Sequence, residues 1–303
     1  MGRWTTMGEM QPSEPHETPI AEGLSAFLSV RPRLFGIAYR ILGTAAEAED
    51  VVQEVWLRWQ GADRSVVKDA EAFLATTATR LAINVAQSAR LRRETYVGPW
   101  LPEPVDTESD PTLGAERGEA LGFAVLMLME KLTPTERAAY VLREAFDYDY
   151  GRIAEVLQGS EANARQLVTR ARRHVTEERR APVSGAEQER LLRAFIDAAQ
   201  RGDTAELESM LAADVVSYSD GGGAARASRT PVVGRERVAK FLTAVAKHFW
   251  VGAEMKWRNM NGQPSVLILQ GGQPLALATL EATAEGIGQI LWVMNPAKLT
   301  IFG

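Results

Sequence analysis

The stretch Leu132-Thr133-Pro134-Thr135-Glu136 decides how the middle of this 303-residue chain folds. Thr133 is a typical residue to cap the start of a helix. Pro134 fits the first helical position, because the N–H that proline lacks would have no helical partner there. Glu136 completes a capping box with Thr133. The stretch therefore predicts a helix that starts sharply after Leu132.

Two more helices are predicted at short intervals. One follows Phe146-Asp147-Tyr148 and carries apolar residues at helical spacing, among them Ile153 and Leu157. Gly159 then supplies a turn, and Ser160 can cap a third helix. Short helices joined by such turns are typical of a helix-turn-helix.

The helix predicted from Ser160 has two different faces. Its apolar residues, which would be buried on the other two helices, are Ala164, Leu167, Val168, Ala171 and Val175. Its polar and basic face comprises Ala162, Asn163, Arg165, Gln166, Thr169, Arg170 and Arg173. Arg and Gln near the start of a recognition helix read base edges in the DNA major groove. The pattern predicts DNA binding, and an ordinary three-helix bundle with a solvated basic face stays open as the alternative.

The composition is that of a globular protein with two or three domains, 46% hydrophobic and 24% charged. The chain has no cysteine, which excludes disulfides and thiolate metal sites. Its three histidines, His16, His174 and His248, are scattered, so no metal and no cofactor is predicted. A polar, proline-rich start and the lack of a long apolar run predict a cytoplasmic chain with no membrane contact.

A formal net charge of −5 is unusual for a protein that binds nucleic acid. The charges are unevenly spread, with arginines concentrated at 90–93 and 165–180 and acidic residues at 47–50 and 106–119. Screening over roughly 8–10 Å means that DNA responds to the local patch. The acidic total argues against strong DNA binding by the chain alone, so a partner is expected to hold it on DNA.

Two helical stretches nearer the start carry further chemical signals. Along Ala46–Trp59 the acidic residues Glu47, Asp50 and Glu54 line up beside an apolar stripe. This indicates either a solvated face or a docking face for a basic partner. The stretch from Phe73 to Glu94 leaves a row of side chains that can meet phosphate or an unstacked base. These are Arg80, Asn84, Gln87, Arg90 and Arg93.

The chain changes character after Ala186. Two helices are predicted between Glu187 and Leu211, and a third from Arg235 to Lys247. Alternating or wholly apolar runs predict the strands of a curved antiparallel sheet. They are Val215–Ser219, Glu254–Met260, Ser265–Gln270, Pro274–Glu281 and Gly288–Met294. The predicted fold class is multidomain, with two all-α domains followed by an α+β domain.

Over roughly residues 21–180 the chain resembles the extracytoplasmic-function (ECF) sigma factors of bacterial RNA polymerase. The resemblance lies in the order of its elements, which are an acidic helix, an arginine-rich helix, a linker and a helix-turn-helix. The segments that carry the resemblance are Leu34–Gly43, Ala48–Glu54, Leu132–Arg137 and Arg165–Arg172. The resemblance implies a disordered tail (1–20), sigma region 2 (21–96), a linker (97–115), sigma region 4 (116–180) and a regulatory domain (186–303).

The same resemblance implies partners and roles. Core RNA polymerase would bind through its β′ clamp helices and β flap, with Asp50, Gln53 and Glu54 on the docking helix. The promoter −35 element would bind the polar face of the helix that starts at Ser160. The residues implied at the promoter −10 element are Arg80, Asn84, Arg90 and Arg93.

A narrower resemblance, to the SigJ-like group of these factors, rests on Trp100-Leu101-Pro102-Glu103-Pro104, Asp220-Gly221-Gly222-Gly223 and Asn295–Leu299. This group carries a C-terminal SnoaL-like domain. Its usual pattern has Lys and Asp where this chain has Ala224 and Ala297, so two charges are missing here. The resemblance implies that the C-terminal domain packs on the linker and sets the arrangement of the sigma domains, in place of a separate anti-sigma protein. The residues expected at this contact are Trp100, Leu101, Pro102, Glu103, Asp220, Gly221, Gly222 and Gly223.

Two alternative functions remain at this point. One is a free-standing DNA-binding regulator, and the other is a cyclase- or isomerase-like enzyme, or a ligand-sensing domain, fused to a DNA-binding regulator. Acid–base catalysis would require Asp214, Asp220 or His248, each of which also suits a turn or helix end, and no catalytic residue is predicted. Aromatic residues that could line a pocket for a small ligand are Tyr218, Phe249, Trp250, Trp257 and Trp292.

Overall fold

The computed structural model describes residues 19–108, 122–178 and 181–303. Residues 1–18 of the expected tail and the acidic segment 109–121 of the expected linker and region 4 lie outside these ranges. The first two described ranges are helical. They contain, in order, α1 (Pro19–Leu42), α2 (Ala45–Gly61), α3 (Ala70–Glu94), α4 (Phe123–Met129), α5 (Pro134–Glu144), α6 (Tyr150–Leu157) and α7 (Glu161–Glu178).

Helix α1 is longer than the sequence predicted. It begins at Pro19, inside the expected tail, because proline suits the first position of a helix. It also continues through Pro32, although proline usually ends or kinks a helix. A proline inside a helix removes one backbone hydrogen bond, and the packing of α1 against α2 and α3 outweighs this loss. Helix α1 ends just before Gly43, and α2 ends at Gly61.

The helix-turn-helix begins with the predicted capping box. Thr133 Oγ1 accepts a hydrogen bond from Glu136 N at 3.3 Å, and the Glu136 carboxylate accepts one from Thr133 N at 3.1 Å. Ser160 Oγ accepts from the backbone of the third residue of α7 at 3.2 Å. The turn before α7 differs in one detail, because the residue with left-handed backbone is Gln158 (φ 55°) and not Gly159.

The two groups of helices share one apolar core. Buried side chains form a continuous cluster that extends from Phe27 in α1 to Val175 in α7. Arg137 of α5 is buried in this contact, and its Nε donates to Arg40 O at 2.8 Å. The helices α1–α3 and α4–α7, expected as separate domains with separate cores, are therefore packed against each other.

The third described range has the predicted α+β fold. Its helices are α8 (Gly185–Arg201), α9 (Thr204–Met210) and α10 (Arg235–Phe249), and its strands are β1 (Leu211–Asp220), β2 (Val232–Val233), β3 (Ala253–Met260), β4 (Gln263–Gln270), β5 (Gln273–Thr283) and β6 (Gly286–Val293). The strand order is β2-β1-β6-β5-β4-β3. Neighbouring strands run antiparallel, except that β1 and β6 are parallel. A parallel pair needs a long connection, and the chain from β2 to β5 supplies it.

The sheet separates two apolar clusters. On one face, α8 and α10 cover a core that includes Phe195 and Trp292. On the other face, Leu291 of β6 lies in a cluster with Leu101 of the linker and Phe123 of α4. The second face of the sheet is therefore the surface on which the C-terminal domain meets the rest of the chain.

Candidate functional site

The linker motif Trp100–Pro104 packs on the turn between α1 and α2. The Glu103 backbone donates to Gly43 O at 2.9 Å, and its carboxylate accepts from the first two backbone N–H groups of α2, at 2.6 Å and 3.2 Å. Thr44, at the N-cap position of α2, makes no capping bond with its side chain. Glu103 therefore supplies the cap, and burial raises the pKa of its carboxyl.

A buried ion pair joins the C-terminal domain to this motif. Asp220, at the end of β1, is fully buried and accepts a hydrogen bond from Lys298 Nζ at 2.7 Å. It also accepts from Leu101 N at 2.8 Å and from Tyr96 OH at 2.5 Å. Lys298 donates in addition to Leu101 O and lies 4.3 Å from the centroid of the Trp100 ring. The C-terminal domain thus binds both backbone groups of Leu101.

The ionization of this cluster is shaped by its burial. Burial lowers the pKa of the Lys298 ammonium, and the charge of Asp220 opposes this effect. Burial and the hydrogen bond to Asp220 raise the pKa of Tyr96. The ion pair between the motifs is made by Asp220 and Lys298, so it does not depend on the charges missing at Ala224 and Ala297.

The glycines after Asp220 allow a close approach. Gly222 has a φ of 58°, and a Cβ there would overlap the side chain of Asn295. A Cβ at Gly223 would lie 3.3 Å from Val97 Cβ, at the start of the linker. Glycine accepts both the positive φ and the close neighbours because it has no Cβ. A Cβ at Gly221 would lie 2.7 Å from the carbonyl oxygen of residue 225.

A second contact is made by the turn between β3 and β4, and no sequence motif predicted it. Asn261 Nδ2 donates to Tyr39 OH of α1 at 2.6 Å, and Asn261 exchanges hydrogen bonds with the Val105 backbone at 2.9 and 3.0 Å. Gln263 Oε1 accepts from Phe123 N at 3.2 Å, at the start of α4. One turn of the C-terminal domain therefore contacts α1, the linker and α4.

Tyr39 connects the two contacts. Its OH donates to Glu103 O at 2.6 Å and accepts from Asn261, and burial raises the pKa of this phenol. The only sequence signal for the turn is the dipeptide Asn261-Gly262 between two predicted strands, which is typical of a hairpin. That signal locates a turn and says nothing about what the turn touches.

The residues predicted for the −10 element lie in two environments on α3. Asn84 and Arg90 are exposed. Arg80 donates to Val156 O at 2.8 Å and to Glu155 O at 2.9 Å, at the C-terminal end of α6. The guanidinium of Arg80 is therefore engaged within the protein.

Arg93, near the end of α3, is engaged as well. It forms an ion pair with Glu130 and lies 3.7 Å from the centroid of the Trp100 ring. Burial lowers the pKa of Arg93, and the charge of Glu130 opposes this effect. Glu130 also forms an ion pair with Arg137, so α3, α5 and the linker motif meet at this carboxylate.

Helix α7 leaves the whole face predicted for the −35 element in solvent. The exposed residues are Ala162, Asn163, Arg165, Gln166, Thr169, Arg170 and Arg173. Arg165 pairs with Glu161 at 2.7 Å, and both side chains are more than half exposed. Such a surface pair is weak and does not prevent the arginine from binding another partner. The opposite, apolar stripe of α7 is buried, as predicted.

The predicted docking residues lie on α2. Asp50 and Gln53 are exposed, and Glu54 pairs with Arg58 at 2.8 Å on the surface. The apolar stripe beside them is buried, as expected for a helix that packs with one face. The acidic face of α2 is therefore accessible to a partner in this arrangement.

The candidate catalytic residues are not brought together. Asp214 and His248 are exposed, and the Asp220 carboxylate bonds to Tyr96, the linker and Lys298. Acid–base catalysis by a carboxyl needs a group that faces a substrate and is shielded from water. Asp214 lines a cavity between α4 and the sheet but is exposed, and neither Asp220 nor His248 lines that cavity. The geometry does not favour the enzymatic alternative.

The aromatic residues proposed for a pocket are divided by the sheet. Phe249, Trp250 and Trp292 pack on one another with ring centroids 4.8 to 6.5 Å apart. Trp257 lies on the same face under Arg193, 4.1 Å from the ring, whereas Tyr218 lies on the opposite face. A cavity of about 410 Å³ lies elsewhere, between α4 and the face of the sheet that meets the linker.

Within the described ranges, no group of acidic and histidine side chains could hold a metal ion. No helix there is long and apolar enough to cross a membrane.

Both helical units match known families. Residues 26–95 match the family described as Sigma-70 region 2, and residues 122–175 match Sigma-70, region 4. A linker that packs on the first unit connects them, and the second unit exposes the polar face of α7. These features define the sigma-70 class of transcription initiation subunits.

The relatives extend over most of the chain. It is 38% identical over 235 residues to the ECF RNA polymerase sigma factor SigJ of Mycobacterium tuberculosis, covering 76% of this chain and 75% of that protein. It is 30% identical over 279 residues to the probable ECF RNA polymerase sigma factor SigI of the same organism, covering 91% and 94%. The crystal structure of M. tuberculosis SigJ is similar with a TM-score of 0.73 at 30% identity, over 91% of this chain and 98% of that one. The chain belongs to the ECF sigma factor family, as its motifs predicted.

Proposed function

We propose that this sigma factor is controlled by its own C-terminal domain, which acts through the linker on part of the −10 surface while the −35 surface stays free. Core RNA polymerase would bind the acidic face of α2 at Asp50, Gln53 and Glu54, through its β′ clamp helices, and its β flap would bind the second helical unit. Promoter DNA would bind α3 and α7. The observation that carries the proposal is that Arg93 lies under Trp100, in the linker motif that the C-terminal domain binds, whereas the polar face of α7 is exposed.

The linker transmits the control in this proposal. The C-terminal domain binds both backbone groups of Leu101, and the neighbouring Trp100 covers the guanidinium of Arg93. Glu103 of the same motif caps α2, the docking helix. A movement of the C-terminal domain that pulls on Leu101 would therefore change both the −10 surface and the docking helix. A fused domain acts at high effective concentration, so weak contacts are enough to shift the population of such states.

The proposed binding of core RNA polymerase to α2 is tested by Asp50→Arg. Asp50 is exposed, so the variant should fold, and the reversed charge should abolish co-elution with core RNA polymerase. Glu254→Arg makes the same charge change at an exposed position of the edge strand β3 and serves as the control. Normal co-elution of Asp50→Arg would show the docking face to be wrong.

The control by the C-terminal domain is tested by run-off transcription with purified core polymerase. Asp220→Asn keeps the shape of the side chain but removes the charge that holds Lys298 and the linker, and it should raise transcript output. Asp197→Asn removes an exposed charge from the same domain and should leave output unchanged. Equal output from wild type and Asp220→Asn would contradict the proposed control.

A further inference from the structure

We propose that the C-terminal domain carries its own binding surface for the phosphate backbone of promoter DNA. The surface is formed by three arginines in the segment that follows β1, namely Arg226, Arg229 and Arg235. The inference rests on the proposed function, because it takes α3 as the helix that meets the −10 element. It goes further in assigning DNA contacts to a domain outside the two sigma regions.

The charge of this segment is uncompensated. Residues 221–235 contain three arginines and no acidic residue. All three arginines are exposed, and in the described part of the chain none of them forms an ion pair or a side-chain hydrogen bond. The neighbouring acids are occupied, since Asp220 is buried with Lys298 and Glu236 pairs with Lys240 at 2.5 Å.

The arginines of α8 provide a contrast within the same domain. Arg190 pairs with Glu187 and Arg193 pairs with Glu189, at 2.6 and 2.7 Å, and Arg201 pairs with an aspartate one turn away. A neighbouring acid partly cancels the field of an arginine and repels phosphate. The segment after β1 therefore differs from α8 in leaving its cationic groups for an anionic partner.

The position of the segment makes DNA the partner that fits. Arg229 lies against the linker, since a Cβ at Gly98 would be 3.6 Å from Arg229 Cα. Only three residues separate Gly98 from the end of α3 at Glu94. Helical rise and extended chain length place Gly98 within about 20 Å of Arg90, the exposed −10 residue. A duplex that runs from α3 toward the linker would reach this segment within about six base pairs, and it carries one negative charge per about 1.7 Å of axis.

The loop is also held in place. Gly223 lies against Val97, at the start of the linker, and Gly222 lies against Asn295, so the segment begins between these two neighbours. A phosphate contact from a positioned cation adds affinity without reading sequence. We therefore expect the segment to strengthen promoter binding equally for different base sequences.

The test uses the complete holoenzyme and a labelled promoter duplex, with binding followed by fluorescence anisotropy over a series of KCl concentrations. The variant is Arg226→Ala/Arg229→Ala, and the control is Arg190→Ala/Arg201→Ala, which removes the same charge from paired arginines. Loss of two phosphate contacts should lower the slope of log K against log salt by about 1.8. Affinity should fall alike for the promoter and for an unrelated duplex, and the control should match wild type. Arg226→Gln/Arg229→Gln, which keeps a polar side chain at both positions, should behave like the alanine variant.

The outcomes separate this inference from the proposed function. An unchanged salt slope in both arginine variants, beside normal promoter recognition, would overturn the phosphate surface alone. A loss of co-elution with core polymerase at an unchanged salt slope would overturn it in favour of a protein partner. A wild-type holoenzyme that does not distinguish the promoter from unrelated DNA would overturn the proposed function and, with it, this inference.

Discussion

Helices α3 and α7 both carry a row of side chains predicted to meet promoter DNA, but the two rows lie in different environments. Helix α7 packs through its apolar stripe and leaves the opposite face in solvent. Helix α3 has neighbours on several sides, because it packs on α1 and α2 and also contacts α5 and α6. Arg80 and Arg93 of α3 consequently bond to groups of other elements. Arg165 of α7 stays more than half exposed, with a surface pair to Glu161 and its guanidinium 4.5 Å from the centroid of the Tyr150 ring.

This difference indicates where regulation can act. An exposed recognition helix needs no rearrangement before it reads DNA, so its affinity depends on its own side chains. A helix enclosed by other elements can bind DNA only after those elements move, so its affinity depends on the tertiary structure. The linker contacts α3 directly, through Trp100 and Arg93, and the C-terminal domain binds the linker at Leu101.

The largest effect is expected when the buried ion pair between Asp220 and Lys298 is removed. Asp220→Ala leaves the Lys298 ammonium buried without its carboxylate, and loss of one partner of a buried pair costs about 3–5 kcal/mol. Urea unfolding should show this loss, and amide hydrogen exchange should increase in the linker and in α3 but not in α7. Asp197→Ala, which breaks an exposed pair with Arg201, should change stability by about 1 kcal/mol or less. Equal exchange in α3 and α7 would contradict the comparison.

A smaller effect is expected at the contact between α3 and α6. Arg80→Ala removes two hydrogen bonds from a charged donor, and because Arg80 is half-buried and water can replace part of this bonding, the total loss should be about 1.5–3 kcal/mol. Exchange protection at the C-terminal end of α6 should fall. Asn84→Ala, one turn further along the exposed side of α3, should stay within about 0.5 kcal/mol of wild type. Similar behaviour of the two variants would mean that Arg80 does not join the helices.

On α7, Gln166→Ala tests whether the exposed face reads bases of the −35 element. If Gln166 makes a bidentate base contact, DNA binding should lose about 1–3 kcal/mol at one position of the −35 element. Stability in urea should not change, because the side chain is exposed. The loss should vanish on a promoter in which the contacted base pair is replaced. A loss that is equal on every −35 sequence would argue against base reading by this residue.

The smallest effect concerns the cap of α2. Burial raises the pKa of Glu103 above its ordinary value of 4.5, so the folded chain holds a proton that the unfolded chain has lost. This contribution to stability is present at and below pH 4.5 and is lost as the pH rises through the raised value. Glu103→Gln removes the titrating group. The difference in urea midpoint between wild type and Glu103→Gln should therefore move in favour of wild type as the pH falls toward 4.5, and a constant difference would contradict the assignment.

The features that could be read from the sequence are local ones. The capping box at Thr133 and the two faces of α7 follow from spacings of three and four residues, which the geometry of a helix imposes on any sequence. The motifs at Trp100 and Asp220 identified the parts of the interdomain contact in advance. The family followed from the order of these local signals.

The partners of these groups could not be read in the same way. Nothing near Tyr39 in the chain points to Asn261, and nothing near Arg93 points to Glu130. Such pairs form because the packing of apolar faces also buries the polar groups beside them. Those polar groups are then removed from water and form hydrogen bonds with each other.

Periodicity and capping thus specify which helices this chain makes and which side of each is apolar, since both are properties of a few consecutive residues. Whether a polar side meets solvent, as on α7, or the protein itself, as on α3, depends on how distant segments pack. The environment of each polar side is set by which apolar surfaces are buried together and by the pairing of charges such as Asp220 and Lys298. No local sequence pattern specifies these contacts.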